Sequence, residues 1–253
     1  MINLSGRVAL VTGSSRGIGR ACAERLAEAG SDIVINYVTS KNAADEVAQV
    51  IAAKGRRCYV IKADVSEKDD VESMADFIKT EIGQLDIVVS NAATGGFRPL
   101  LSTTEQHFRS AMNTNVLSMV FLVQALFPLL EKAEGRGKVI GLSSHGAEIA
   151  IPWYGLIGAS KAALESVARH VTLEVGHRVN VNIVKAGLVD TDSTRRIPNS
   201  REMFETRPQR SMVGDRFLTS RDVADAVLFL ASPLSDLVQG QILTVDGGEG
   251  IHP

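Results

Sequence analysis

The sequence predicts an α/β fold: one domain with a doubly wound, mostly parallel seven-stranded sheet and helices on both faces. Three observations predict it. Seven short apolar runs recur along the 253 residues, separated for the most part by helical patterns. The first run leads straight into a glycine-rich turn that opens a helix. A composition of 45% hydrophobic but only 5% aromatic residues suits a buried parallel sheet covered by helices.

The bulk properties narrow the function. A formal net charge of −2 argues against a nucleic-acid partner, which needs a concentrated basic surface. Cys22 and Cys58 form no spaced motif, so neither a disulfide framework nor a metal site is expected. The N-terminus Met-Ile-Asn-Leu-Ser-Gly-Arg lacks the charged-then-apolar pattern of a secretory signal. The most apolar stretch, 119–130, contains Gln124 and Pro128 and is too short to span a bilayer. A cytoplasmic protein without a membrane partner is the expectation.

The first strand is expected at 7–12, followed by Gly13-Ser14-Ser15-Arg16-Gly17-Ile18-Gly19 and a helix that stops at Gly30. This is a phosphate cradle in its proper context. Gly13 makes the tight turn, Gly17 lets the backbone approach a pyrophosphate, and Gly19 lets the helix sit close to the sheet. The helix N-terminus, with Ser15 and Ile18 beside it, offers free N–H groups to the anion. The second strand, 32–37, ends in Asn36-Tyr37, without the carboxylate that would hold an adenosine ribose. Arg16 and Lys41 are instead placed to pair with a 2′-phosphate, which favours NADPH over NADH.

A helix follows at 41–54 and a third strand at 57–63, leading to Asp64-Val65. Asp64 can cap the next helical segment. The fourth strand, 85–90, ends in Asn91-Ala92-Ala93. A long helical region occupies 103–134, starting near Thr104 and Glu105 and disturbed by Pro128. Asn115 inside it is a poor helix former, so a polar duty is expected there. Apolar faces on this region and on the helix after Tyr154 point to a subunit interface, in a homotetramer or homodimer. The fifth strand, 138–142, delivers the chain to Ser143-Ser144-His145, then to Tyr154 and Lys161.

Seven residues separate Tyr154 from Lys161, two helical turns, so phenol and ammonium can share a helix face. Such a pair suits a reaction that builds negative charge on a substrate oxygen. His145, in a polar turn beside a glycine, reads as a surface residue rather than an acid. The sixth strand, 178–185, alternates cleanly and opens into Ala186-Gly187-Leu188-Val189-Asp190-Thr191. The least regular stretch, 192–216, carries six arginines against four acids and could attract an acidic or phosphorylated partner. A last helix at 221–230 and a last strand at 241–245 lead into Asp246-Gly247-Gly248.

These motifs, taken together, resemble the short-chain dehydrogenase/reductase superfamily across nearly the whole chain, which implies a single-domain Rossmann fold. Ordinary members place their tyrosine four residues before the lysine, where this sequence has Ile157. The wider Tyr154-to-Lys161 spacing is instead similar to the enoyl-acyl-carrier-protein reductase branch. The resemblance implies that Asp64 and Val65 meet the adenine, while Asn91 ties neighbouring strands and, with Ala92, lines the ribose. Gly187 and Val189 would hold the nicotinamide carboxamide, in a turn where alanine replaces the family's proline. Asn115 would support Lys161 through water, Lys161 would hold the ribose hydroxyls, and Ser144 stands at the catalytic serine of ordinary members. The segment 192–216 matches the position of a substrate lid.

The activity so implied is NADPH-dependent reduction of a trans-2-enoyl thioester, carried on acyl-carrier protein or coenzyme A, in fatty-acid or polyketide-type synthesis. A phenol seven residues back lies ~10 Å along a helix axis, against ~6 Å for four residues. That shift fits chemistry two carbons away from the carbonyl that is stabilised. A carbonyl reductase using Tyr154 or Ser144 is the alternative. An NADPH-binding relative without chemistry is a third reading, which Ile157 allows.

Overall fold

In the computed structural model, which describes residues 2–206, 210–214 and 216–251, all seven strands are parallel and belong to one sheet. The strands are β1 (Val8–Val11), β2 (Asp32–Tyr37), β3 (Cys58–Lys62), β4 (Ile87–Ser90), β5 (Gly137–Ser144), β6 (Val179–Ala186) and β7 (Ile242–Val245). Their order is β3-β2-β1-β4-β5-β6-β7. The chain reverses its direction of winding between β1 and β4, and a crevice opens there at the C-terminal strand ends.

The helices are α1 (Gly17–Glu28), α2 (Lys41–Ala53), α3 (Lys68–Phe77), α4 (Glu105–Met112), α5 (Ser118–Leu130), α6 (Gly155–Val175), α7 (Ser200–Thr206) and α8 (Ser220–Ala231). They divide between the two faces as the strand period of two dictates. On β1, Ala9 and Val11 pack with Cys22 and Leu26 of α1 and Val223 and Val227 of α8. Val8 and Leu10 point the other way, into a layer with Val71 of α3, Leu126 of α5 and Leu164 of α6. Each strand thus feeds two cores, which is why the runs read as nearly continuous apolar residues.

Three local expectations need correction. The apolar stretch 119–130 is only the second half of a helical run, Glu105–Leu130, that by length and composition could cross a bilayer. Its Met119, Leu122, Leu126 and Leu130 are instead buried in the sheet-side core. The run is not uniform: Asn113–Leu117 forms a π-helical turn between α4 and α5. It begins as read, with Thr104 as N-cap in a capping box with His107, and ends at Leu130, two residues beyond Pro128. The alternation along β6 also misleads, because all eight of its residues are buried. Asn180 and Asn182 donate to the carbonyls of Asp236 and Val238, bracing the connection into β7. Polar side chains there meet backbone groups that would otherwise lie unpaired.

Cys22 and Cys58 are free thiols, and burial pushes each up to about 12. Phe108, Leu117 and Leu173 remain exposed on α4, the π-helical turn and α6.

Candidate active site

A cleft of about 560 Å3 runs across the strand ends, from Tyr37 at one side to Tyr154 and Lys161 at the other. Its floor is the glycine loop. Gly13 and Gly17 both adopt left-handed backbone (φ 61° and 58°), which side-chain-bearing residues rarely tolerate. At Gly19 the reason is contact: a Cβ there would lie 2.4 Å from Asn91 Nδ2 and 2.6 Å from the Gly13 carbonyl oxygen. Asn91 in turn donates to the carbonyls of Thr12 and Gly13 at 2.8 and 3.2 Å, tying β4 to the loop as expected. Asn36, unremarked in the sequence except for not being acidic, accepts from Gly13 N and donates to the Ala63 carbonyl. It stitches the loop to β2 and β3.

The cleft gathers Gly13, Ser15, Arg16, Gly17, Ile18, Gly19, Tyr37, Asp64, Val65, Asn91, Ala92, Gly187 and Val189. Arg16 is the exposed N-cap residue of α1, at the end where the helix leaves N–H groups free. Asp64 accepts from the N–H and hydroxyl of Ser66 through Oδ1, which closes a local turn rather than capping α3, whose N-cap is Glu67; the residue also lines the cleft. Lys41 is not among the lining residues. It is exposed and bonded to Asp45 at 2.7 Å, an i,i+4 pair on α2, because the first carboxylate after the strand falls within its reach.

At the other end, Tyr154 is the N-cap of α6, one residue before the helix proper. Its ring is held tightly: a Cβ on Gly146 would come within 2.4 Å of it, and Phe97 stacks on it with centroids 6.1 Å apart. The preceding Trp153 has φ 65°, a left-handed conformation costly for a bulky side chain, and its carbonyl accepts from Arg98 N at 2.9 Å. Burial raises the Tyr154 phenol above its ordinary range, and a hydrogen bond with Ser144 partly offsets this. Ser144 also accepts from Gly146 N at 3.4 Å, so it caps the turn and meets the tyrosine.

Lys161 is buried and donates to the Leu142 carbonyl of β5 at 2.7 Å. Loss of solvent lowers its pKa from 10.5 to about 8, with Glu165 pulling the other way. Ile157, at the place of the ordinary tyrosine, is buried with its side chain against Gly95. Asn115 lies outside the cleft lining, behind Lys161. Its Oδ1 accepts from Thr94 N at 2.7 Å, and its Nδ2 donates to the Thr94 carbonyl and to Ser160 Oγ. Its polar duty is therefore direct: it ties Ser160, next to Lys161 on α6, to the turn after β4.

His145 is the clearest departure. Far from being a surface residue it is buried, with Nε2 2.9 Å from Asp246 Oδ2, so strand β5 and the turn after β7 are joined there. Asp246 also accepts from Gly248 N and Gly250 N. The pairing spans 101 positions of sequence, beyond the reach of any local pattern. Among the arginines of 192–216, Arg195, Arg201 and Arg216 are paired with Asp190, Glu205 and Asp222. Arg207 lies outside the described residues. The cleft also takes in Thr114 and Thr191, and with them Ser110 and Thr194, which no sequence motif singled out.

Residues 13–249 match the family described as Enoyl-(Acyl carrier protein) reductase. The hydroxynaphthalene reductase-like protein Arp2 of Metarhizium majus is 34% identical over 97% of this chain and 96% of its own. The 1-cyclohexenylcarbonyl-CoA reductase of Streptomyces collinus is 33% identical over 97% of this chain and 87% of its own. Among solved structures, a short chain dehydrogenase from Burkholderia cenocepacia J2315 in complex with NADP superposes with a TM-score of 0.89. It is 34% identical, covering 98% of this chain and 99% of that one.

Proposed function

This chain belongs to the short-chain dehydrogenase/reductase superfamily, and we propose that it works there as an NADPH-dependent enoyl-thioester reductase. The observation that carries the proposal is that Tyr154 and Lys161 line one cleft while Ile157 is buried. The phenol in that cleft comes from seven residues before the lysine. The residue four back has no proton to give.

The cleft fits a dinucleotide. Its left-handed glycines and the open N-terminus of α1 suit a pyrophosphate, and Gly187 and Val189 lie at the nicotinamide end near Lys161. Arg16 is the residue placed for a 2′-phosphate, so NADPH is favoured; the Burkholderia relative holds NADP. When bound, the nicotinamide supplies the hydride. Tyr154 stays protonated at neutral pH, because burial favours the uncharged phenol, and it donates to the thioester oxygen as charge gathers there. Lys161 adds a positive charge in a site with little water to screen it. Addition at the β-carbon leaves an enolate, and a proton taken from solvent at the α-carbon completes the saturated thioester. The Streptomyces relative supports this reading, since a 1-cyclohexenylcarbonyl thioester is itself an α,β-unsaturated thioester.

A second reading has its own observation. Tyr154 bonds Ser144, and a serine–tyrosine pair polarises a ketone as readily as a thioester. The hydroxynaphthalene reductase-like relative is named as a reductase of a substrate that is not a thioester, which leaves room for this reading. Acyl-carrier protein or coenzyme A as carrier, a cytoplasmic location, and a homodimer or homotetramer built on the exposed Phe108, Leu117 and Leu173 belong to the proposal as well.

The test is oxidation of NADPH with a trans-2-enoyl-coenzyme A and the matching 3-oxoacyl-coenzyme A side by side. Turnover of the enoyl compound alone is the expected result. Turnover of the 3-oxo compound alone overturns the enoyl reading in favour of carbonyl reduction.

A further inference from the structure

Behind Lys161 lies a second lysine that the cleft does not use. Lys185 of β6 is only 1% exposed. Its ammonium is 3.3 Å from Glu165 Oε1 and is also paired with the exposed Glu148. Glu165 sits one helical turn after Lys161 on α6 and is itself buried. The same Oε1 accepts from Ser143 Oγ at 2.6 Å, and Ser143 is the register partner of Lys185 across β5 and β6. Ser143 follows Leu142, whose carbonyl takes the Lys161 ammonium. One buried carboxylate is therefore fixed by Lys185 and Ser143 one helical turn from Lys161, whose own ammonium is held by the Leu142 carbonyl.

We propose that Glu165, held in place by Ser143 and Lys185, keeps Lys161 charged, and that Lys185 is a positioning residue that limits this effect by sharing the carboxylate. A buried ammonium needs an anion close by to remain protonated. Were Glu165 free of Lys185, its full charge would act on Lys161; without Glu165, Lys161 would face Lys185 across a low-dielectric gap. With Glu148 at the outer end, the four groups sum to zero when all are ionised.

The other titratable groups on the surrounding elements are accounted for. His145, in the turn after β5, faces Asp246, and Tyr154 at the start of α6 faces Ser144. Lys138, at the far end of β5, is paired with Asp236. On α4, Glu105 pairs with Arg109 and His107 closes the helix cap. The turn Asn113–Leu117 and α5 carry none. On α6, Arg169, His170 and Glu174 lie beyond Glu165, along the second half of the helix.

The inference rests on Lys161 as the charge at the site, but its test reads Lys161 directly and needs no substrate. Lysine labelled at Cε and Nζ is titrated by NMR in the intact protein, with the Lys161 signal identified by its loss in Lys161→Met. Glu165→Gln is expected to lower the Lys161 midpoint by about one pH unit, and Lys185→Met to raise it by a similar amount. Lys185→Arg keeps the charge and should leave the midpoint in place. It also serves if Lys185→Met does not fold. Shifts of the same sign in Glu165→Gln and Lys185→Met, no shift in either one, or a shift in Lys185→Arg as large as one pH unit overturns the proposal.

Discussion

Replacing Lys161 by methionine should abolish turnover and yet make the protein more stable at neutral pH. The ammonium is buried, and burial lowers its pKa from 10.5 to about 8. In the unfolded chain the group returns to its ordinary value. Below about pH 8 both states hold the proton, so the full cost of burying a charge bears on the folded state. Between about pH 8 and 10.5 only the unfolded state holds it, and stability rises with pH until the cost is gone. At about 1.4 kcal/mol per tenfold, the gap corresponds to roughly 3 kcal/mol at neutral pH. Methionine leaves the Leu142 carbonyl without its 2.7 Å donor, which takes back about 1 kcal/mol. The expected net gain is thus about 2 kcal/mol at neutral pH, vanishing by about pH 10. Urea unfolding of both proteins at the two pH values reads it directly, through the midpoint at unchanged slope. A destabilised Lys161→Met at neutral pH, or a gain independent of pH, would refute the reasoning.

Other predictions follow from the same geometry. Tyr154→Phe keeps the ring against Gly146 and Phe97 and removes only the hydroxyl, so kcat should fall about 100- to 1,000-fold with little change in NADPH affinity. Equal losses in both, measured by turnover and by cofactor titration, would contradict that role. Gly19→Ala drives a Cβ into Asn91 and the Gly13 carbonyl; NADPH affinity should drop at least about tenfold and stability by about 1–3 kcal/mol. Calorimetric titration and thermal unfolding check the two effects. Arg16→Ala should weaken NADPH binding by about 1.5–3 kcal/mol while leaving NADH nearly unchanged, a comparison of two dissociation constants that tests the 2′-phosphate assignment.

The sequence by itself determined what depends on spacing along the chain. The apolar runs specify seven strands, and the left-handed turns at Gly13 and Gly17 are legible because few other residues adopt them. The interval from Tyr154 to Lys161 is likewise a property of a helix, and it placed both residues at one cleft. What a side chain meets across the sheet was decided only by the tertiary structure. Asn115 meets Thr94 and Ser160, His145 meets Asp246, and Lys185 meets Glu165, with no local signal of the partner. Even β6, whose alternation suggests a polar face, is buried throughout, because its asparagines and lysine find partners inside. The physical reason is the same in each case. Backbone conformation follows from neighbours a few residues away, whereas charge state and hydrogen bonding depend on strand register and burial. Those are set by the packing of distant segments.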